Sequence, residues 1–257
     1  MIGGNTPASV NARNVPCNAG PKCYNTRMTT DAVEILYEDG PCLVVNKPSG
    51  LLTQSPPGID SLENRIKAFL KVREQKPGKV YLGVPHRLDR PASGAMVFAK
   101  HVRAARRLAE QFEARVVRKV YWACVSGHVA PADGVWRDWV RKVPDEARAE
   151  IVAAEVPDAR EAVLHYRTLA TVPAGSWLEI ELETGRMHQI RVQAGSRGHP
   201  LWGDALYGST VAFGKPSADV RLRAIALHAR RLEFRHPMTH EPVAVDAPPP
   251  GGWPAFS

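Results

Sequence analysis

Cysteine is scarce in this chain, four among 257 residues, and the spacing supports no disulfide framework. Cys17 and Cys23 stand as C-x5-C with no second pair, which gives zinc no tetrahedral set. Cys42 and Cys124 fall in apolar, strand-like runs and are expected in the core. No apolar run is long enough to cross a bilayer, and the first residues lack the charged and apolar regions of a signal peptide. A cytoplasmic protein with no membrane partner is therefore expected. The nine histidines show no ligand pattern, since Pro237 between His236 and His240 specifies a turn rather than a helical face. Neither a Walker-type phosphate loop nor a dinucleotide-type glycine fingerprint occurs, which argues against ATP and NAD chemistry. No metal and no small-molecule cofactor are expected.

What the chain does contain is enough apolar sequence, 44% of its residues, for a full core, and a net charge of +8. The excess of Lys and Arg favours a polyanionic partner, although it also serves solubility. Residues 1–30 are rich in Asn, Gly, Pro, Thr and Ala without periodicity and read as a disordered leader, with Met28 as an alternative start. Patterned sequence fills 31–248, and the Pro- and Gly-rich run beginning at Ala247 ends regular structure, leaving 249–257 as a C-terminal tail.

Within that span, Val33–Tyr37 and Cys42–Val45 predict a hairpin around Asp39-Gly40. Asp60 and Glu63 form a capping-box pattern ahead of Leu62, Ile66, Phe69 and Leu70 at helical spacing. Val102, Ala105, Leu108, Ala109 and Phe112 predict a second helix, with Arg103, Arg106, Arg107 and Glu110 towards solvent. Lys119–Val125, Ala162–Val172, Trp177–Leu182, Ala224–Phe234 and Val243–Val245 are strand-like, and Met187–Ala194 is a candidate short helix. Many strands and few helices indicate an α+β fold with a largely antiparallel or mixed sheet.

The most informative stretch is His86-Arg87-Leu88-Asp89-Arg90-Pro91-Ala92-Ser93-Gly94. It sets a carboxylate between two arginines, in a segment closed by Pro and Gly. Strand-like runs flank it at Val80–Val84 and Ala95–Ala99. Two cations favour the ionised form of Asp89 and suit an anionic substrate beside it. A positioned carboxylate on a loop is a candidate covalent nucleophile. By itself the segment reads first as a surface turn with salt-bridged arginines, and it is the rest of the chain that overturns this reading.

Further segments align with this one. They are Val44-Val45-Asn46-Lys47-Pro48-Ser49-Gly50, Lys119-Val120-Tyr121, the run Glu183-Thr184-Gly185-Arg186-Met187-His188-Gln189-Ile190-Arg191-Val192, Gly198-His199-Pro200 with Gly203-Asp204, and Ala226-Leu227-His228-Ala229 leading to His236-Pro237. In this order and spacing, over about residues 33 to 248, the chain resembles the RluA family of pseudouridine synthases. The resemblance implies the pseudouridine synthase fold, a central mixed sheet with flanking helices and an RNA-binding cleft. It also implies isomerisation of uridine within a stem-loop of ribosomal or transfer RNA.

By position in those motifs, Asp89 is expected to attack the uracil ring or the ribose anomeric carbon. Arg191 is expected to pair with Asp89, with simple phosphate binding as its other reading. Tyr121 is expected to stack on the uracil and assist the last proton transfer. Arg87 is expected to fill the space left by a flipped base. Arg90, Lys119, Arg186 and His188 are further expected substrate contacts, and Lys47 is expected to support the site. For His86 and His188 the structural alternative is a hydrogen-bonding rather than an acid–base role.

Three positions depart from the usual pattern of the family. Ala92 replaces a frequent Thr and removes a possible loop brace. His240 stands where Gly is common, so that turn is expected to be strained. Gln193 replaces a frequent His. The chain leaves no room for the small N-terminal RNA-binding domain of many relatives, so recognition is expected to rest on the catalytic domain, as a monomer. The competing readings are a catalytically silent RNA-binding or chaperone protein on the same scaffold, and a nucleoside hydrolase using Asp89.

Overall fold

The protein is described here by a computed structural model, whose described residues are 33–253. The expected leader, Cys17, Cys23 and the last four residues of the tail lie outside them. The hairpin forms as expected, from β1 (Glu34–Asp39) and β2 (Cys42–Lys47). After α1 (Leu62–Arg73) and β3 (Ser93–Ala99) come α2 (Val102–Glu113), β4 (Arg118–Ser126), β5 (Asp133–Lys142) and β6 (Ala149–Val152). The chain then forms β7 (Arg160–Val172), β8 (Gly175–Leu182), α3 (Gln189–Ser196), β9 (Leu227–Arg235) and β10 (Pro242–Asp246). The ten strands form one sheet in the order β1-β2-β3-β9-β4-β8-β7-β5-β6, with β10 also on β9. All these pairs are antiparallel except β3 with β9. The fold is thus α+β with a mixed sheet, as its composition predicts.

Both faces of the β2–β3 region are covered, which explains the nearly unbroken apolar runs there. Leu43, Val45, Met96 and Phe98 pack with Leu62, Ile66 and Leu70 of α1. The alternate residues Cys42, Val44, Ala95, Val97 and Ala99 pack with Ala104 and Leu108 of α2. Cys42 and Cys124 are buried free thiols.

The parallel seam between β3 and β9 joins the two halves of the sheet next to the Asp89 segment. It pairs Ser93 with His228 and Gly94 with Ala229. Gly94 has φ +121°, and a Cβ there would sit 2.4 Å from the backbone of Ala229. Only glycine allows that approach.

Some local expectations change. The N-cap of α1 is Ser61, which accepts from the Asn64 N–H at 3.3 Å. Asp60 instead pairs with Arg65. A serine that reaches its own N3 amide wins over the longer-range box pattern. The buried face of α2 is Ala104 and Leu108, with Ala105 and Phe112 beside it, while Val102 and Ala109 face solvent. Val80–Val84 forms no strand; only Gly83 bridges, to Ala99. Strands β5 and β6 were not expected. In β5 the inward Trp136 and Val140 alternate with outward residues that include the apolar Val135 and Trp139, and one inward residue is itself charged: Asp138 pairs with Arg197 at 2.8 Å. Trp253, in the expected tail, packs back on Trp177, Phe213 and His228.

His228 couples this seam to pH. It is buried between Ser93 Oγ at 2.8 Å and the carbonyl of Ala247 at 3.1 Å. Burial, more than any neighbour, pushes its pKa down to about 4. The unfolded state, titrating near 6.5, then binds more protons than the native state between those values. Stability is therefore complete above about 6.5 and falls towards pH 4, by roughly 3 kcal/mol from this group. Urea unfolding across that range should show the loss, with a shallower dependence in His228→Asn.

Candidate active site

The segment carrying Asp89 has no regular structure, and its backbone is held from several sides. Thr53 Oγ1 donates to the carbonyl of Leu88 at 3.0 Å, and Ala92 N–H donates to that of Asp89 at 3.1 Å. Gly50 N–H and Arg90 Nε exchange bonds with the carbonyls of Arg90 and Gly50, both at 2.8 Å. The fully buried Lys47 Nζ donates to the carbonyls of Pro48, Arg90 and Ala92 at 2.9, 3.2 and 2.8 Å. Burial brings the Lys47 pKa down to about 7, with Asp89 opposing and Arg90 reinforcing. The Asn46-to-Gly50 motif is therefore a clamp for the Asp89 loop. His86 contributes to the same clamp: its Nε2 accepts from the Val97 N–H at 3.0 Å, and its ring stacks on Phe112. Burial and then Lys119 push its pKa down to about 3, which preserves that neutral acceptor.

A second anchored turn brings α3 to the loop. Gln189 Oε1 accepts from Thr184 Oγ1 at 2.8 Å and from the Arg186 N–H at 3.0 Å, while its Nε2 donates to the carbonyl of Val163. His188 closes the turn with a left-handed φ of 50°. One helical turn later Arg191 reaches Asp89, donating from Nη1 to Oδ2 at 3.1 Å. Its Nε and Nη2 make a two-pronged pair with Asp204, at 2.6 and 2.9 Å. Burial works against this cation, but the bonds and charges of Asp204 and then Asp89 outweigh it and hold its pKa above the usual range.

A cavity of about 510 Å³ opens over this pair. Asp89, Tyr121, Arg191, Arg87, Lys119, Arg186 and His188 line it together. All the expected site residues meet there except Arg90, which does not line the cavity and ties the loop to Gly50 instead. The ion-pair partner of Asp89 is accordingly Arg191, not either flanking arginine. Tyr121 comes from β4 at an irregularity in its pairing with β9, a device that re-aims a side chain. Burial, then Asp89, raises its pKa.

Arg87 is exposed and has no ion-pair partner among the described residues. Burial and then Arg115 lower the pKa of Lys119, and burial followed by Arg115 and Arg160 lowers that of Arg186. Among the described residues the Arg186 side chain is held only through Nε, which donates to the carbonyl of Glu161. Elsewhere the arginines mostly pair with carboxylates, as Arg73 does with Glu38 and Arg118 with Glu181. Among the described residues Arg87, Arg115, Lys119 and Arg186, which line the cavity, therefore have no carboxylate partner, unlike Arg191.

Sequence reasoning did not find Asp204, Tyr207 and Arg115 as site residues. Asp204 was legible only as part of the Gly203-Asp204 motif. Of the three departures, His240 does adopt a left-handed φ of 64°. Ala92 is buried and bonded to Asp89 through its backbone, so this change does touch the loop of the carboxylate. Gln193 is fully buried and donates to Asp138 at 2.6 Å. Among the described residues no group of His, Cys, Asp and Glu is arranged to hold a metal, and no helix is long and apolar enough to cross a membrane.

The chain has relatives among known proteins. Residues 41–196 match the model of a family described as RNA pseudouridylate synthase. The chain is 37% identical over 225 residues to ribosomal large subunit pseudouridine synthase D of Xanthomonas campestris, covering 85% of this chain and 66% of that protein. It is 34% identical over 226 residues to tRNA pseudouridine synthase C of Salmonella typhi, covering 84% and 85%. An uncharacterized RNA pseudouridine synthase of Synechocystis is 38% identical over 221 residues, and there too the chain spans 66% of the relative. Among solved structures, human RNA pseudouridylate synthase domain containing 4 superposes with a TM-score of 0.69 at 25% identity, covering 85% of this chain and 89% of that one.

Proposed function

The chain belongs to the RluA family of RNA pseudouridine synthases, and from that premise we propose that it converts specific uridines to pseudouridine in structured RNA, ribosomal, transfer or both, with Asp89 as nucleophile. One observation carries the reading: a carboxylate aimed by Arg191 beside Tyr121, in a cavity whose remaining cations lack carboxylate partners among the described residues. The catalytically silent alternative is not favoured, because RNA binding alone needs neither a nucleophile nor a buried guanidinium to aim it.

A uridine held in a helix or folded loop must first leave its stack, at a cost of a few kcal/mol. Arg87, exposed at the mouth of the cavity, is suited to the vacated space. Asp89 then attacks, the bond between base and ribose breaks, and the uracil turns over while Tyr121 stacks on it. Carbon 5 bonds to the anomeric carbon and loses its proton, nitrogen 1 gains one, and the bond to Asp89 breaks to return the free carboxylate, so no atom is lost overall. No external reagent is consumed. We take the working unit to be the monomer and the compartment to be the cytoplasm.

The test is tritium release from carbon 5 of labelled uridine, with ribosomal and transfer RNA both supplied. Release by the wild type supports the reading, and free uracil in its place would favour a hydrolase. The unpaired cations carry a separate expectation. Arg186→Ala should weaken RNA binding and reduce the dependence of log K on log salt by about one, because one phosphate contact is lost. An unchanged slope in a filter-binding titration would remove Arg186 from the RNA interface.

A further inference from the structure

Tyr207, at the end of the short 3-10 turn Ala205–Tyr207, lies beneath the site and contacts both groups that address Asp89. Its ring lies under the Arg191 guanidinium at 5.1 Å and meets the His188 ring edge-on at 5.8 Å. Its hydroxyl accepts from the main-chain N–H of Ala149 at 2.9 Å and stands 2.9 Å from His188 Nδ1. An amide can only donate, so the phenolic proton needs an acceptor elsewhere. Among the described residues that acceptor is Nδ1 of His188. If Nδ1 carried the imidazole proton instead, the hydroxyl hydrogen would be stranded in a half-buried position.

The imidazole therefore holds its proton on Nε2, which faces Asp89 Oδ2 at 3.8 Å. That separation is long for a hydrogen bond, but such bonds in an empty site commonly tighten when substrate enters. Arg191 Nη1 addresses the same oxygen at 3.1 Å. No donor among the described residues is directed to Oδ1. The backbone of His188 lies in the left-handed region, unfavourable for a residue other than glycine, immediately before α3.

We propose that His188, held by Tyr207 as the neutral Nε2–H tautomer, is a positioning residue that with Arg191 secures Oδ2 of Asp89 and leaves Oδ1 to attack. The inference rests on the functional reading above and deepens it. Oδ1 supplies the electron pair of the new bond to carbon, and the displaced pair is carried by the uracil. Asp89 gains no proton in that step, so both donors keep their roles through it. The groups facing His188 are Arg87 and Asp89 from the loop, Arg191 from α3, and Asp204 and Tyr207 from the segment after it. Burial lowers the His188 pKa and favours the neutral ring.

Two measurements test this. Nitrogen-15 spectra of the intact protein without RNA should show His188 with a bare Nδ1 and a protonated Nε2. In Tyr207→Phe the two tautomers should mix. In single-turnover assays, His188→Ala should slow conversion about 10- to 100-fold with RNA affinity within about twofold, and His188→Gln, which keeps a donor, should recover most of the rate. Thermal unfolding of each variant separates loss of fold from loss of positioning. A protonated Nδ1 in the wild type, an unchanged rate in His188→Ala, or a loss confined to affinity would each overturn the proposal. If the wild type converts no RNA, the functional reading falls, while the spectra still decide the tautomer.

Discussion

Asp89→Asn is expected to lower pseudouridine formation by at least about 10⁴-fold while leaving fold and RNA affinity nearly unchanged. The amide is isosteric but lacks the anionic oxygen that would bond to carbon, and a reaction that loses its nucleophile retains only what binding and positioning supply. The fold should survive for a reason visible in the site. Arg191 keeps its two bonds to Asp204 when Asp89 becomes neutral, so no buried cation is orphaned. A stability change within about 1 kcal/mol is therefore expected. The decisive comparison is tritium release by variant and wild type at equal RNA occupancy. Turnover near the wild-type rate would remove Asp89 from the chemistry.

Asp204→Asn should show the opposite balance, with a large effect on stability and an indirect one on rate. Both partners of this pair are almost wholly buried, with 5% of the Arg191 side chain and 1% of that of Asp204 exposed. Removing one charge of a buried pair leaves the other inadequately compensated, a loss of roughly 3–5 kcal/mol. Asp89 alone then has to hold the guanidinium, through one bond at 3.1 Å. The carboxylate that should attack would be drawn towards Arg191, and conversion should fall about 100-fold. Urea unfolding and tritium release on the same preparation measure the two effects. The double variant Arg191→Met with Asp204→Leu adds a contrast, since replacing both charges by apolar groups of similar size should restore much of the stability and none of the activity. Wild-type stability in Asp204→Asn would mean that something other than this pair fixes Arg191.

The contrast between these residues shows what a sequence can carry. Asp89, Tyr121 and Arg191 were legible through the family resemblance of the motifs in which they stand; by residue type alone Tyr121 would read as a core tyrosine of a strand. Asp204 sits in a motif as well, yet its role appears only when a carboxylate 13 residues from Arg191 closes on the guanidinium. Arg90 shows the converse. A cation beside Asp89 suggests a substrate contact, but its side chain is spent on the carbonyl of Gly50.

The sequence by itself determined the α+β class, the first hairpin, the two longer helices and the segment that carries Asp89. Periodicity of apolar residues and local turn chemistry depend on neighbours a few positions apart, and these are present in the chain before it folds. Tertiary structure alone decided how the site is aimed. Asp89 meets Arg191 across 102 positions, and Lys47 clamps the loop through main-chain carbonyls. The His188 tautomer is set by a tyrosine that itself answers to the backbone amide of Ala149. Every residue has a carbonyl and nearly every one an amide, so partners of that kind leave no mark in the pattern of side chains and exist only once the sheet has brought them together.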